Sequence, residues 1–178
     1  MRTSFFIALA LAGPAGAADE THPEPVNVIS ETGHDVGPCI GGATLGYPPQ
    51  PYKGTASFLL NADPALAARH EAVTRQGSPA WLQQLDGPSG SNRLFTDAVG
   101  EGVLVFSVCK PRDCDASHAY GAYSLQTKQY ALRVSAGGAA TMLGSPAPAL
   151  KAAMACARSI DDRVRAEAAD RLRKAAGR

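Results

Sequence analysis

The chain has 178 residues, 45% of them hydrophobic and 19% charged, with 17 Lys and Arg against 16 Asp and Glu and a formal net charge of +1. That balance argues against a nucleic-acid binder, whose phosphate contacts need a clear basic excess. The length accommodates one domain with a real core but not two ordinary ones.

Residues 1–17, MRTSFFIALALAGPAGA, combine one positive charge at Arg2, an apolar stretch from Phe5 to Ala12 and a small-residue Ala15-Gly16-Ala17 ending. This is the pattern of a cleaved secretory signal. The apolar run is too short to cross a bilayer, and no later run approaches about 18 apolar residues. The expected mature protein is therefore exported to the periplasm, soluble and without a membrane anchor. Cleavage after Ala17, or after Ala18 as the close alternative, takes the formal charge from +1 to 0, since Arg2 is the only charged residue removed.

Residues 18–54 are rich in Gly, Pro and polar side chains without a sustained period, and read as an irregular N-terminal arm. A helix is expected over 64–76, with Asp63 as its cap, Pro64 in its first turn and Gly77 as its stop. In "GSPAWLQQLDG", Ser78 is a second cap and Pro79 a first-turn proline, with Trp81, Leu82 and Leu85 on a short apolar face; Trp81 reads as a core anchor. From Leu94 the period becomes that of strands: 94–99, 103–109, two more around a polar turn at 126–129, and a short one at 140–143. Ser145, Pro146 and Pro148 announce a final helix whose apolar face is Leu150, Ala153, Ala157, Ile160, Val164 and Leu172. Its many charges read as a solvated face. The expected fold is α+β, an antiparallel sheet of about five strands with helices packed on its faces. It divides into a signal (1–17), the arm (18–54), a core (55–145) and the C-terminal helix (146–178).

All four cysteines, Cys39, Cys109, Cys114 and Cys156, lie in the mature part, and an even count in an oxidising compartment implies two disulfides. Cys109 and Cys114 flank a Pro-containing turn, which brings them together and leaves Cys39 for Cys156. Chain entropy assigns the long loop roughly 5 kcal/mol and the short one only about 2 kcal/mol. The short bridge is thus better explained as a device that stiffens a protruding loop with Lys110, Pro111, Arg112 and Asp113 at its tip. A loop ordered beforehand binds without the cost of ordering. Two cations beside one carboxylate fit a cleft lined with carboxylates, which the planar Arg fork engages in bidentate fashion.

Here the sequence resembles the periplasmic inhibitors of vertebrate (c-type) lysozyme, the Ivy family. That family's hallmark is a disulfide-closed CKPHDC loop, matched by Cys109, Lys110, Pro111, Asp113 and Cys114; SPAWL at 78–82 resembles its Pro-Ala-Trp segment. The likeness covers about residues 64–144, leaving the arm and the long helix unmapped. It implies an inhibitor, not an enzyme, that needs no cofactor, plugs the active-site cleft of c-type lysozyme with this loop, and commonly forms a homodimer. Arg112 stands where the family has a histidine that contacts the two catalytic carboxylates. A lysozyme works with one protonated and one ionised carboxylate, and arginine, always charged, would pair with the ionised one. The runner-up is an Ivy-like module turned toward another glycan-cleaving envelope enzyme, such as a lytic transglycosylase.

Other chemistry fares worse. Cys109, Cys114 and His118 would offer a metal three ligands, but exported thiols oxidise and no second close pair exists. The spacing is not CxxC, as redox catalysis would need. Ser107, Asp113 and His118 lie close in sequence without any nucleophile elbow. His22 and His34 belong to the arm, and His70 reads as a surface or boundary residue of its helix.

Overall fold

A computed structural model describes residues 26–29, 35–39, 44–75, 77–96, 100–144 and 147–177. The expected signal segment, His22, His34, and residues 97–99 of the expected strand at 94–99 lie outside these. The centre is an antiparallel meander of six strands in chain order. They are β3 (Thr44–Gly46), β4 (Arg93–Thr96), β5 (Gly102–Cys109), β6 (Ser117–Ser124), β7 (Tyr130–Ala136) and β8 (Ala139–Gly144). A separate hairpin pairs β1 (Val26–Ile29) with β2 (Asp35–Cys39). The stretch expected to be an irregular arm therefore holds three short strands. A partner strand supplies the backbone hydrogen bonds that Gly- and Pro-rich sequence does not call for by itself.

Both faces of the sheet are covered, which is why β5 reads VLVFSV with hardly a polar interruption. Leu104, Phe106 and Val108 point to one face, with Leu132 and Tyr123, and pack under helices α1 (Ala56–Ala62), α2 (Pro64–Thr74) and α3 (Ala80–Gln83). Val103 and Val105 point to the other, with Phe95 and Tyr120, and pack under α4 (Pro148–Ala176). Trp81 is half-buried beside the first cluster, as an anchor of α3.

Asp63 caps α2 as its position foretold: Oδ1 accepts from the amides of Ala65 (2.8 Å) and Leu66 (3.2 Å), and Oδ2 from the Tyr52 hydroxyl (2.8 Å). Burial pushes the Asp63 carboxyl up, but these donors outweigh it and hold the group below its ordinary range. Ahead of it lies α1, which no cap or period announced. Pro79 is the N-cap of α3 and not its first-turn residue, and makes no side-chain cap bond.

The apolar face of α4 ends at Ile160; Val164 and Leu172 are 58% and 72% exposed. A 29-residue helix is about 44 Å long, and none of its last sixteen residues, 161–176, is buried. The helix outruns its sheet. Beyond Ile160 it is laced by short-range ion pairs such as Arg165–Asp162 (2.8 Å) and Lys174–Asp170 (2.7 Å), as a solvated helix is. Asp161 fastens the crossing, accepting from Arg93 (2.6 Å) and from the Tyr120 hydroxyl (2.9 Å).

His70 is no surface residue: only 1% of it is exposed. Its Nε2–H donates to the carbonyls of Leu82 (2.9 Å) and Gln83 (3.1 Å), which can only accept, so Nδ1 takes the Tyr130 hydroxyl (2.6 Å). The neutral imidazole satisfies all of these and joins α2, α3 and β7. Burial holds its pKa below the ordinary histidine value, the two carbonyls opposing weakly. The unfolded chain then binds this proton more readily than the folded one, so the contribution is complete above about pH 6.5 and fades as the pH falls. The melting temperature is expected to drop between pH 8 and pH 5, and His70→Gln to have a lower melting temperature with a shallower pH slope. Thermal unfolding across this range checks both.

Candidate functional site

β5 and β6 are paired in register from Val103–Ser124 to Cys109–His118, so the chain between Cys109 and Ser117 must reverse direction at the end of the sheet. Three backbone bonds shape the reversal: Lys110 N–H to Ser117 O (2.9 Å), Asp113 N–H to Lys110 O (3.0 Å) and Ser117 N–H to Asp113 O (2.9 Å). The middle one closes a four-residue turn with Pro111 in its second position and Arg112 in its third. Proline sets φ for the former; the latter takes φ +66°, the left-handed conformation that such a turn demands there. Arginine adopts it at a cost of about 1 kcal/mol. The Cys109–Cys114 disulfide closes the base of this loop.

The four expected tip residues have different roles. Lys110 Nζ lies 3.1 Å from Asp113 Oδ2, which also accepts from Ser117 Oγ (3.0 Å). These two donors hold the Asp113 carboxyl below its ordinary range. Lys110 and Asp113 thus stiffen the loop from within. Pro111 and Arg112 are exposed at its end, and Arg112 makes no ion pair among the described residues. The tip is therefore one projecting guanidinium on a braced turn.

Sequence reasoning missed the support beneath it. The Cys109 amide donates to Pro88 O (3.0 Å), and a side chain at Gly87 would collide with the Cys109 carbonyl. The stretch after α3 is thus pressed backbone to backbone against the loop's base, and only glycine permits that approach. The one available signal was the Gly-Pro pair in "LDGPSG", which marks a turn but not what the turn touches.

The alternative chemistries find no geometry. Cys109 and Cys114 are bonded to each other, so neither is a thiolate ligand beside His118. Asp113 is taken up by Lys110 and Ser117 and does not orient His118, whose Nδ1 is buried without a hydrogen-bond partner among the described residues. Burial, followed by the charges of Arg165, Arg158 and Arg133, keeps this histidine's pKa below its ordinary value. Cys156 is disulfide-bonded, and β2, which ends at Cys39, lies against α4. The Cys39 side chain is outside the described residues, so the Cys39–Cys156 bridge stands as a proposal. Non-reducing peptide mapping is expected to find it, and a Cys39–Cys109 crosslink would refute it.

Fold and loop together define a small α+β domain that displays one rigid, covalently closed loop at the end of its sheet. The chain belongs to the inhibitor of vertebrate lysozyme (Ivy) family, whose model matches residues 65–161, and its relatives in that family are inhibitors rather than enzymes. The match runs from α2 into α4, further than the likeness over 64–144 legible in the motifs. No match is found among curated proteins.

Proposed function

We propose that this protein is an exported, periplasmic inhibitor of lysozyme that inserts the Cys109–Cys114 loop into the active-site cleft and brings Arg112 to the catalytic carboxylates. Support comes from the loop itself: in a member of an inhibitor family, an exposed guanidinium, that of Arg112, sits on a turn braced by a disulfide, an internal ion pair and the Pro88 carbonyl. A guanidinium in the cleft pairs with the ionised carboxylate and favours ionisation of the neighbouring acid, which removes the proton donor that glycoside cleavage needs. Titrating the mature protein into a cell-wall lysis assay with c-type lysozyme tests this directly. Dose-dependent inhibition is expected.

The presence of arginine where the family has histidine favours one second reading, a lytic transglycosylase or similar glycan-cleaving enzyme as the target. Inhibition of such an enzyme with none of c-type lysozyme would select it. A homodimer belongs to the same proposal and is checked by light scattering on the eluting protein.

If the short bridge serves mainly to preorganise the tip, Cys109→Ser with Cys114→Ser will weaken target binding much more than stability. The closed loop is small, so the stability loss is limited to about 2 kcal/mol. Calorimetric binding and thermal unfolding of the double variant measure the two effects side by side.

A further inference from the structure

On the α4 face of the sheet, α4 leaves the β7–β8 edge uncovered, and a cavity of about 460 Å³ opens between them. Its apolar floor includes Met154, which is buried, and Met142, which is 36% exposed. Around the floor stand Arg133 from β7 and Lys151 and Arg158 from α4, with Asp162 as the acidic member of the wall. That carboxylate is divided: Arg165 lies 2.8 Å from one oxygen and Arg158 3.5 Å from the other. Asp161, the neighbouring acid, is turned to Arg93 and Tyr120. Lys151 has no ion pair among the described residues, and Arg133 donates to the Ser135 hydroxyl (3.1 Å), a neutral partner. Positive charge therefore accumulates at this cavity, in a chain whose formal net charge is only +1. The same field reaches His118, whose protonation Arg158 and Arg133 oppose.

Like charges around a shared hollow repel one another, and an anion placed among them relieves that repulsion while gaining charge-assisted hydrogen bonds. Two arginines offer the planar fork suited to a carboxylate or phosphate. The methionine floor, soft and adaptable, suits an apolar body, and the volume is in the range of small-molecule sites. We propose that the cavity between α4 and the β7–β8 edge binds an amphiphilic anion, with its acidic head among Arg133, Lys151 and Arg158 and its apolar part on Met142 and Met154. The site is separate from the inhibitory loop and does not depend on that loop's function.

Isothermal titration calorimetry of the mature protein tests this with monomeric dodecyl phosphate, inorganic phosphate and dodecyltrimethylammonium as probes. Dodecyl phosphate is expected to bind one to one, inorganic phosphate at least about tenfold more weakly, and the cationic amphiphile not at all. Each lost charge contact is worth about tenfold, so Arg133→Gln and Lys151→Glu should each weaken dodecyl phosphate binding by at least that factor. Lys151 is exposed on α4, so its variant will keep the fold, as circular dichroism can verify. Met142→Gln should weaken dodecyl phosphate and leave phosphate unchanged. Lys128→Gln, in the distant β6–β7 turn, should change nothing. Absence of dodecyl phosphate binding, equal binding of the cationic amphiphile, equal binding of inorganic phosphate, or undiminished binding by the folded Lys151→Glu variant would each overturn the proposal. So would association with phosphatidylglycerol vesicles in place of the monomeric amphiphile, which would mean that the basic surface meets a bilayer and the cavity is not used.

Discussion

Arg112→Ala is expected to raise the inhibition constant against c-type lysozyme by at least about thirtyfold, since removing one partner of a buried charge pair costs about 2 to 5 kcal/mol. The fold should not suffer, because Arg112 is exposed and makes no ion pair among the described residues. Its positive φ of +66° sharpens the test. Glycine takes that conformation freely, so Arg112→Gly should unfold at an equal or higher temperature than wild type while inhibiting as poorly as the alanine variant. Histidine is also more at ease there than most side chains, so Arg112→His should fold at least as well and bind c-type lysozyme at least as tightly. Between pH 8 and pH 5 the two tips will diverge: protonating the target's catalytic acid weakens the arginine contact, whereas histidine gains charge over the same range. Inhibition constants of the four proteins at both pH values decide the matter. If Arg112→Ala inhibits as well as wild type, the loop is not the plug.

Gly121→Val is expected to lower the melting temperature by about 10 °C, through overpacking of about 3 kcal/mol in a domain of this size. Gly121 lies opposite Phe106 in the β5–β6 register, and the Phe106 ring occupies the space a side chain at 121 would take. That ring is 1% exposed and stacked near Tyr130, with centroids 6.3 Å apart. It has nowhere to retreat. Phe106→Leu should remove the conflict, so Gly121→Ala is expected to cost less than half as much in the Phe106→Leu background as in wild type. A double-mutant cycle by denaturant unfolding gives the coupling. Additive losses would show that the glycine is required for its backbone alone.

Parts of this protein whose physics is local were legible in the residue order. Asp63-Pro64 and Gly77 bracket α2 because a cap and a first-turn proline act within one turn of chain. The strands on either side of the 126–129 turn follow from alternation and a short polar reversal. The meeting of Cys109 and Cys114 was nearly forced, because the four residues between them hold a proline turn. The loop, its closure and its exposed cation could thus be named from sequence.

The tertiary structure decided whatever depends on a distant partner. β3 is a strand because β4 offers it hydrogen bonds, and α1 is a helix because Ala56 and Leu59 find the underside of the sheet. The helical period of α4 continues to Leu172, but where burial stops depends on the extent of a sheet formed by other residues. His70 is buried because Tyr130, sixty residues on, supplies its partner. Equally, no local signal places Gly87 against the Cys109 carbonyl or gathers Arg133 with Lys151 and Arg158. Residue order by itself determined turns, caps, alternation and the closed loop, since these are short-range backbone and steric effects. The braces beneath that loop and the charged cavity were left to the packing of α3 and α4 onto the sheet, because proximity between remote segments is a property of the assembled layers.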